Sequence, residues 1–405
     1  MVIRQYGRKK DLNRMKIGVY LASDPFFGGT YQYNLSIIDA LDNLEKKGYS
    51  ICAFYYTESW ESIVPNSFEK FRLSKPSLLF KICSKLYRYV DTSVEGARRF
   101  DKVFNSSANV INRSECDIII YPSQDKMSYL TKGKSLTAIH DLMHRYESHF
   151  EEYQGSEISA RDKHYKMICE YSNGILVDSK IGREHVVESY GVDRSKIFKL
   201  PFVPPSYLIE SKGDEIFKKF NLPERFVFYP AQFWEHKNHL RLIEAIEILK
   251  RRGVRVNLVL VGSQKNSFQS VLDHIGIYGL EDRVKILGYV SNDEILTLYR
   301  EAVAMVFVSL IGPTNIPPVE ALVTGCPLIC SNAYAMPEQI GDAAIFFDPL
   351  DSNQIANSIE LVWKDEILRE QLRNKGFEKI KEYGQNDFNI LIEQIIDEIT
   401  QQKIH

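Results

Sequence analysis

The chain is 405 residues long and carries 51 Lys+Arg against 53 Asp+Glu, a formal net charge of -2. Hydrophobic content of 44% and charge of 26% exclude a disordered or fibrous chain, and the length allows two or three domains with sizeable cores. The near-neutral balance excludes a protein that coats nucleic acid over its whole surface, so no nucleic-acid partner is expected.

Residues 1–14 are rich in Arg and Lys and read as a basic lead-in. Met15–Ala22 then predicts a buried first strand, Phe26-Phe-Gly-Gly-Thr-Tyr31 a glycine turn, and Leu35, Ile38 and Leu41 the apolar stripe of a helix. Further strands are predicted at Ile51–Tyr56, Asp117–Tyr121, Leu136–Ile139 and Gly174–Val177, the last followed by a helix from Ser179 to Tyr190. Prolines in Lys199-Leu-Pro-Phe-Val-Pro-Pro205 break the pattern and suit a stiff connection. A second series follows, with strands at Phe226–Pro230, Asn257–Val261, Val284–Leu287, Ala304–Val308, Pro327–Cys330 and Ala344–Phe347. The chain closes on an amphipathic helix, Asp387 to Gln401, with Phe388, Leu391, Ile392, Ile395 and Ile399 on one face. Strands alternating with helices mean parallel sheets covered on both faces, here in two α/β halves of about 190 residues each.

The charge is unevenly placed. Residues 1–113 hold 18 Lys+Arg and 11 Asp+Glu, or +7, leaving -9 for the remainder. Within the basic part, residues 68–89 mix Lys70, Arg72, Lys75, Lys81, Lys85 and Arg88 with large apolar side chains. Such a stretch suits an anionic membrane surface, and equally an ordinary helix with a solvated basic face.

Four segments sit where a strand ends and a helix begins, the edge at which ligands collect in parallel sheets. The sharpest is Gly312-Pro-Thr-Asn-Ile-Pro-Pro-Val-Glu-Ala-Leu-Val-Thr-Gly325. Asn315 suits an N-cap, the prolines a first turn and Gly325 a helix end, giving a helix N-terminus fit for a phosphate or sugar hydroxyls. Glu320, one turn in, can accept two hydrogen bonds from a ribose diol; a carboxylate stabilised by the helix dipole alone fits the same spacing. In Phe226–Asn238, Gln232 ends the strand and Lys237 precedes a helix, where an ammonium can neutralise a diphosphate or simply be solvated. Gly28-Gly29 lets a ligand approach the backbone, or makes a tight turn. In Thr137-Ala-Ile-His-Asp-Leu142, His140 and Asp141 end a strand, either facing a ligand or bonded to nearby backbone.

The sequence contains no Asp-x-Asp, P-loop, Gly-x-Ser-x-Gly or GxGxxG. Six scattered cysteines, with only Cys326 and Cys330 close, make no zinc set and read as reduced, buried thiols. No apolar run reaches the length of a membrane span and no signal-like segment opens the chain, so a cytoplasmic place is expected, peripheral on the inner membrane face if the basic stretch binds lipid.

Taken in order, Phe27-Gly-Gly-Thr, Ile139-His-Asp-Leu, the Gln232–Lys237 loop and Ile316-Pro-Pro-Val-Glu-Ala-Leu followed by Gly325-Cys-Pro-Leu resemble the family 4 glycosyltransferases. The resemblance runs from Met15 to the C-terminus and is densest over residues 226–349. It implies the GT-B architecture, two Rossmann-like doubly wound domains facing a central cleft: an acceptor-binding domain at 15–203, a nucleotide-sugar-binding domain at 204–385, and a C-terminal helix at 386–405 returning to the first domain. It also implies retaining, metal-independent transfer of a hexose-type sugar, with a nucleoside diphosphate sugar as co-substrate and no cofactor. The acceptor would be a glycan or lipid-linked glycan in cell-surface polysaccharide biosynthesis.

By the same resemblance Glu320 holds the ribose, Lys237 the diphosphate and His140 the reacting sugar. Gly28 and Gly29 lie beside the phosphates and acceptor, Gln232 ends the strand beside the diphosphate, and Tyr289 and Val290 border the nucleobase. Thr314, Asn315 and Ile316 form the loop facing the donor sugar. Two positions depart from the pattern. The family's glutamate eight residues before Glu320 is Gly312 here, and its arginine five before Lys237 is Gln232. A non-catalytic nucleotide-sugar or glycan binding protein is therefore the rival reading. A nicotinamide-dependent oxidoreductase shares the fold class but lacks the glycine fingerprint.

Overall fold

The computed structural model describes residues 15–23, 28–75, 80, 82–83, 87, 93–155, 157–204 and 216–401. The lead-in at 1–14, Phe26 and Phe27, and much of the basic stretch 68–89 lie outside the described residues.

The first domain is a seven-stranded, all-parallel sheet in the order β3-β2-β1-β4-β5-β6-β7. Its strands are β1 (Lys16–Leu21), β2 (Ser50–Tyr55), β3 (Glu69–Arg72), β4 (Ile118–Tyr121), β5 (Lys134–Ala138), β6 (Gly174–Val177) and β7 (Ile197–Lys199). The second domain is a six-stranded parallel sheet in the order β10-β9-β8-β11-β12-β13. It comprises β8 (Val227–Pro230), β9 (Leu258–Val261), β10 (Val284–Gly288), β11 (Ala304–Phe307), β12 (Leu328–Ser331) and β13 (Ala344–Phe347). Runs such as Ile-Ile-Ile-Tyr in β4 and Leu-Val-Leu-Val in β9 are buried throughout, as strands covered on both faces must be. Both sheets are doubly wound, as the alternating pattern predicts, and the order reverses between β1 and β4 and between β8 and β11.

Two strands were not predicted. Glu69–Arg72 forms an edge strand on β2, so the start of the basic stretch is sheet and not helix. Its charged residues suit an edge, where one side is open to water, and that hides it from a hydrophobicity pattern. The three residues of β7 pair with β6, extending the first sheet to Lys199, where the prolines suggested that regular structure had ended.

The helices that frame the cleft are α1 (Gly28–Lys46), α2 (Lys180–Tyr190), α3 (His239–Arg251), α4 (Asn292–Glu301), α5 (Ile316–Thr324), α6 (Met336–Ile340) and α7 (Gln385–Gln401). Local sequence explains their ends. Ser179 caps α2 by accepting from the Gly182 N–H at 3.1 Å, and Gly191 closes it in the left-handed region at φ 64°. Ser291 and Glu294 form a reciprocal capping box at the start of α4. The last helix, α7, lies on α1: Phe388, Ile392, Ile395, Ile396 and Ile399 are buried with Ile37, Leu41 and Leu44 in one cluster. Lys47 Nζ meets Glu393 at 2.5 Å, and Lys134 Nζ donates to the Ile399 carbonyl at 2.6 Å. Among the described residues no helix is long and apolar enough to cross a membrane.

Candidate functional site

The carboxyl ends of β8 and β11 meet at the reversal of strand order, and the chain places a cation and a helix start there. After β8, a 3-10 turn at Glu235–Lys237 leads through Asn238, held at φ 62°, into α3. Lys237 Nζ donates to Asn315 Oδ1 at 3.3 Å and to Ser309 Oγ at 3.4 Å, and lies 5.8 Å from the Phe307 ring centre. Burial pushes its pKa down to about 8, against the opposing charges of Asp141 and Glu152. Both of those carboxylates belong to the first domain.

Asn315 occupies the N-cap of α5, but its side chain makes no cap bond. The reason is local: an N-cap oxygen accepts from the second or third helical N–H, and here those residues are Pro317 and Pro318. The Asn315 oxygen therefore turns to Lys237. The Asn315 N–H donates to Gln339 Oε1 at 3.1 Å, while Gln339 Nε2 donates back to the Asn315 carbonyl at 2.9 Å. The expected row of open N–H groups at this helix start is accordingly reduced, with Ile316 as the first helical residue that retains one. Glu320 is buried one turn in and accepts from the Tyr299 hydroxyl of α4 at 2.7 Å.

Gly312 stands at φ 110°, and a Cβ there would lie 2.9 Å from Asn315 Nδ2. The absent glutamate is thus matched by a backbone that disfavours any side chain. Gln232 is exposed, and its Oε1 accepts from the Trp234 indole N–H at 2.9 Å. Tyr289 is 82% exposed and Val290 is buried, both beside the end of β10.

The first domain closes against this edge. Gly28 opens α1, and a Cβ on Gly29 would come 3.1 Å from Ile316 Cδ1, so the starts of α1 and α5 face each other. Asp178, at the end of β6, is buried and accepts from the Thr314 hydroxyl across the cleft and from Ser179 Oγ at 2.9 Å. Burial raises its pKa to about 7 in spite of those bonds. Glu338 of α6 accepts from the Lys180 N–H at 3.1 Å, at the N-terminus of α2, and pairs with Lys199 at 3.2 Å.

His140 packs against Tyr33, with ring centres 5.0 Å apart, and stacks on Phe202 at 5.9 Å. Its Nε2 bonds the Pro122 carbonyl at 2.8 Å. A carbonyl only accepts, so Nε2 carries the proton and Nδ1 remains as an acceptor. Burial lowers its pKa, outweighing the Pro122 bond and Asp141. The backbone bond expected of a structural histidine is therefore present, at the sheet edge foreseen for a ligand-facing one.

Lys237, Thr314, Asn315 and Ile316 thus come together, with Glu320 on the same helix and Gly29 opposite. Sequence reasoning missed Asp178, Gln339, Tyr299 and Glu152. Only Asp178 carried a usable signal, as a carboxylate at a strand's carboxyl end before a capping serine.

Residues 212–379 match the family described as glycosyl transferases group 1. That stretch spans most of the second domain. O-antigen chain mannosyltransferase B of Escherichia coli is 26% identical over 216 residues, covering 52% of this chain and 56% of that protein. O-antigen chain mannosyltransferase RfbU of Salmonella typhimurium is 27% identical over 195 residues, covering 48% of this chain and 52% of that protein. The chain thus matches little more than half the length of these relatives. Among solved structures, Anabaena Alr3699/HepE in complex with UDP-glucose superposes with a TM-score of 0.71 at 16% identity, covering 95% of this chain and all of that one. The two facing parallel-sheet domains are the GT-B fold.

Proposed function

We propose that this chain is a retaining hexosyltransferase. It moves a sugar, mannose first among those to test, from a nucleoside diphosphate sugar to a glycan or lipid-linked glycan acceptor in cell-surface polysaccharide assembly. The observation that carries this reading is the pairing of Lys237 with Asn315 at the β8/β11 reversal, within electrostatic reach of Asp141 of the other domain. The mannosyltransferase relatives support the choice of sugar.

In this reading Lys237 and the α5 start stabilise the charge that develops on the departing diphosphate, a preorganised electrostatic contribution that asks for no metal. Glu320, steadied by Tyr299, accepts from the ribose hydroxyls. Gln232, Tyr289 and Val290 border the nucleotide, and Thr314, Asn315 and Ile316 face the sugar. His140 accepts a sugar hydroxyl at Nδ1 and orients the ring. Retention follows from a front-face route in which the leaving phosphate takes the acceptor's proton. Domain closure excludes water. The basic N-terminal part, residues 1–113 with a net charge of +7, offers its positive charge to an anionic membrane at the cytoplasmic face, where a lipid-linked acceptor would lie. Liposome co-sedimentation at low salt, with and without anionic lipid, tests that part; equal pelleting in both counts against it.

A thermal-shift screen over nucleotides and nucleotide sugars, GDP-mannose and UDP-glucose included, followed by transfer assays, tests the assignment. Lys237→Ala and Glu320→Ala are each expected to lose most transfer; near-normal turnover with a binding donor would sink it. A non-catalytic sugar-nucleotide binder is the second reading, favoured by the side-chain-excluding backbone at Gly312. Donor binding with neither transfer nor hydrolysis would select it.

A further inference from the structure

The turn that carries Lys237 is gripped from the opposite domain. The 3-10 turn Glu151–Tyr153 of the first domain reaches across the cleft and sets Glu152 against His236. Glu152 Oε1 accepts from the His236 ring at Nδ1 and from the His236 backbone N–H at 3.3 Å. Glu152 Oε2 accepts from Asn266 Nδ2 at 3.1 Å, and Asn266 Oδ1 accepts from the Glu235 N–H at 3.0 Å. The grip is sealed by aromatic contact, with Tyr153 stacked 6.3 Å from the His236 ring and Phe150 edge-on at 6.2 Å. Both side chains are nearly buried, at 9% exposure for Glu152 and 11% for His236.

The second domain holds the same turn from behind. The Lys237 carbonyl accepts from the Tyr229 hydroxyl at 2.8 Å, and the His236 carbonyl from the Leu310 N–H at 2.9 Å. Neither of these touches the front of the turn, where Glu152 bonds. Burial opposes ionisation of Glu152, but the His236 bonds outweigh it and hold the carboxyl below its usual range. Burial and the Lys237 charge push His236 down to about 4, so at neutral pH it is an uncharged donor through Nδ1.

We propose that Glu152 is a positioning residue: delivered when the first domain closes, it clamps the Glu235–Lys237 turn and fixes the lysine that meets the donor diphosphate. The inference rests on the reading of Lys237 given above. It makes the donor's cation a product of closure, because the acceptor domain supplies the clamp. An open enzyme then binds nucleotide without a fully formed site, and binding energy goes to assembling it. The charged groups that act on Lys237 are Asp141 and Glu152, and the titratable groups beside it on its own side are His236 and His239, both uncharged at neutral pH.

The test uses the full chain with Glu152→Gln, Glu152→Asp, His236→Asn and His236→Phe, each checked by thermal unfolding. GDP and UDP binding are measured by calorimetry, and kcat and KM for the donor across pH 6 to 9.5. Wild-type kcat/KM should fall as pH rises through about 8, where Lys237 loses its proton. Removing the Glu152 charge takes away an influence that keeps the lysine protonated, so Glu152→Gln should move that fall to lower pH. It should also cut kcat by about tenfold or more, with little change in nucleotide affinity, because the closed arrangement is impaired and the open one is not. Glu152→Asp keeps the charge and should keep the position of the fall while lowering kcat. His236→Asn, which still presents an N–H to the carboxylate, should retain far more activity than His236→Phe. A loss of kcat in Glu152→Gln at every pH alike, with the alkaline fall unmoved, overturns the proposal, as do wild-type kinetics. A wild-type chain that neither binds these nucleotides nor transfers overturns the parent reading instead.

Discussion

The Thr314 hydroxyl donates to the Asp178 carboxylate across the cleft, joining the loop before α5 to the end of β6. The bond spans the two domains at a carboxyl group whose burial lifts its pKa to about 7. In the folded state Asp178 thus keeps a proton that the unfolded chain releases near pH 4. More protons bound in the folded state means stability that falls with rising pH, so this group's contribution is fullest below pH 4 and declines as pH passes through 7. Asp178→Asn keeps an oxygen for Thr314 and removes the titration. Chemical denaturation at pH 5 and pH 8 should show the difference in unfolding free energy between them shrinking by about 2 kcal/mol in the variant. An unchanged pH dependence would place the charge of Asp178 in solvent.

Gly29 and Ile316 set how closely the two helix starts approach. A Cβ at Gly29 meets Ile316 Cδ1 at 3.1 Å, and the end of an isoleucine can yield to one methyl but not to a branched side chain. Gly29→Ala should turn over near the wild-type rate, whereas Gly29→Val should lose about tenfold in kcat with its thermal midpoint little changed. Full activity in Gly29→Val would mean that catalysis does not require this approach.

Restoring the family's glutamate should not restore anything. Gly312→Glu forces a side chain onto φ 110° and drives its Cβ to within 2.9 Å of Asn315 Nδ2, the residue that holds Lys237. A loss of about 1–3 kcal/mol in unfolding free energy is expected, with weaker nucleotide binding. Stronger binding would show that the loop re-forms around a carboxylate.

Much of this architecture is written locally. Ile118–Tyr121 and Leu258–Val261 are short apolar runs between turn signals, and such runs in alternation with helices admit little besides parallel sheets. Lys237 and Asn315 were legible because each sits just past a strand and just before a helix, a place fixed by a dozen neighbouring residues. Glu69–Arg72 was not, because an edge strand tolerates charge and needs no apolar alternation. Glu152 and Asp178 were illegible as site residues for a different reason. Glu152 lies 84 residues from His236 and Asp178 lies 136 from Thr314, and each acts on a loop of the other domain, so their meaning exists only once two separately folded sheets face each other. The proline pair after Ile316 was read as a helix start. That it also denies Asn315 its cap, and frees the side chain for Lys237, follows from the missing N–H groups but needed the geometry to be seen.

The last helix, α7, supplies Phe388, Ile392 and Ile395 to the core beneath α1, although every residue of the second domain precedes it in the chain. On a ribosome, where chains are made in order, the first sheet emerges early yet stays unsealed along that face until residues 385–401 have followed. The domain begun first is therefore completed last, and an arrest anywhere in the second half would leave an exposed greasy flank for a chaperone or protease to find.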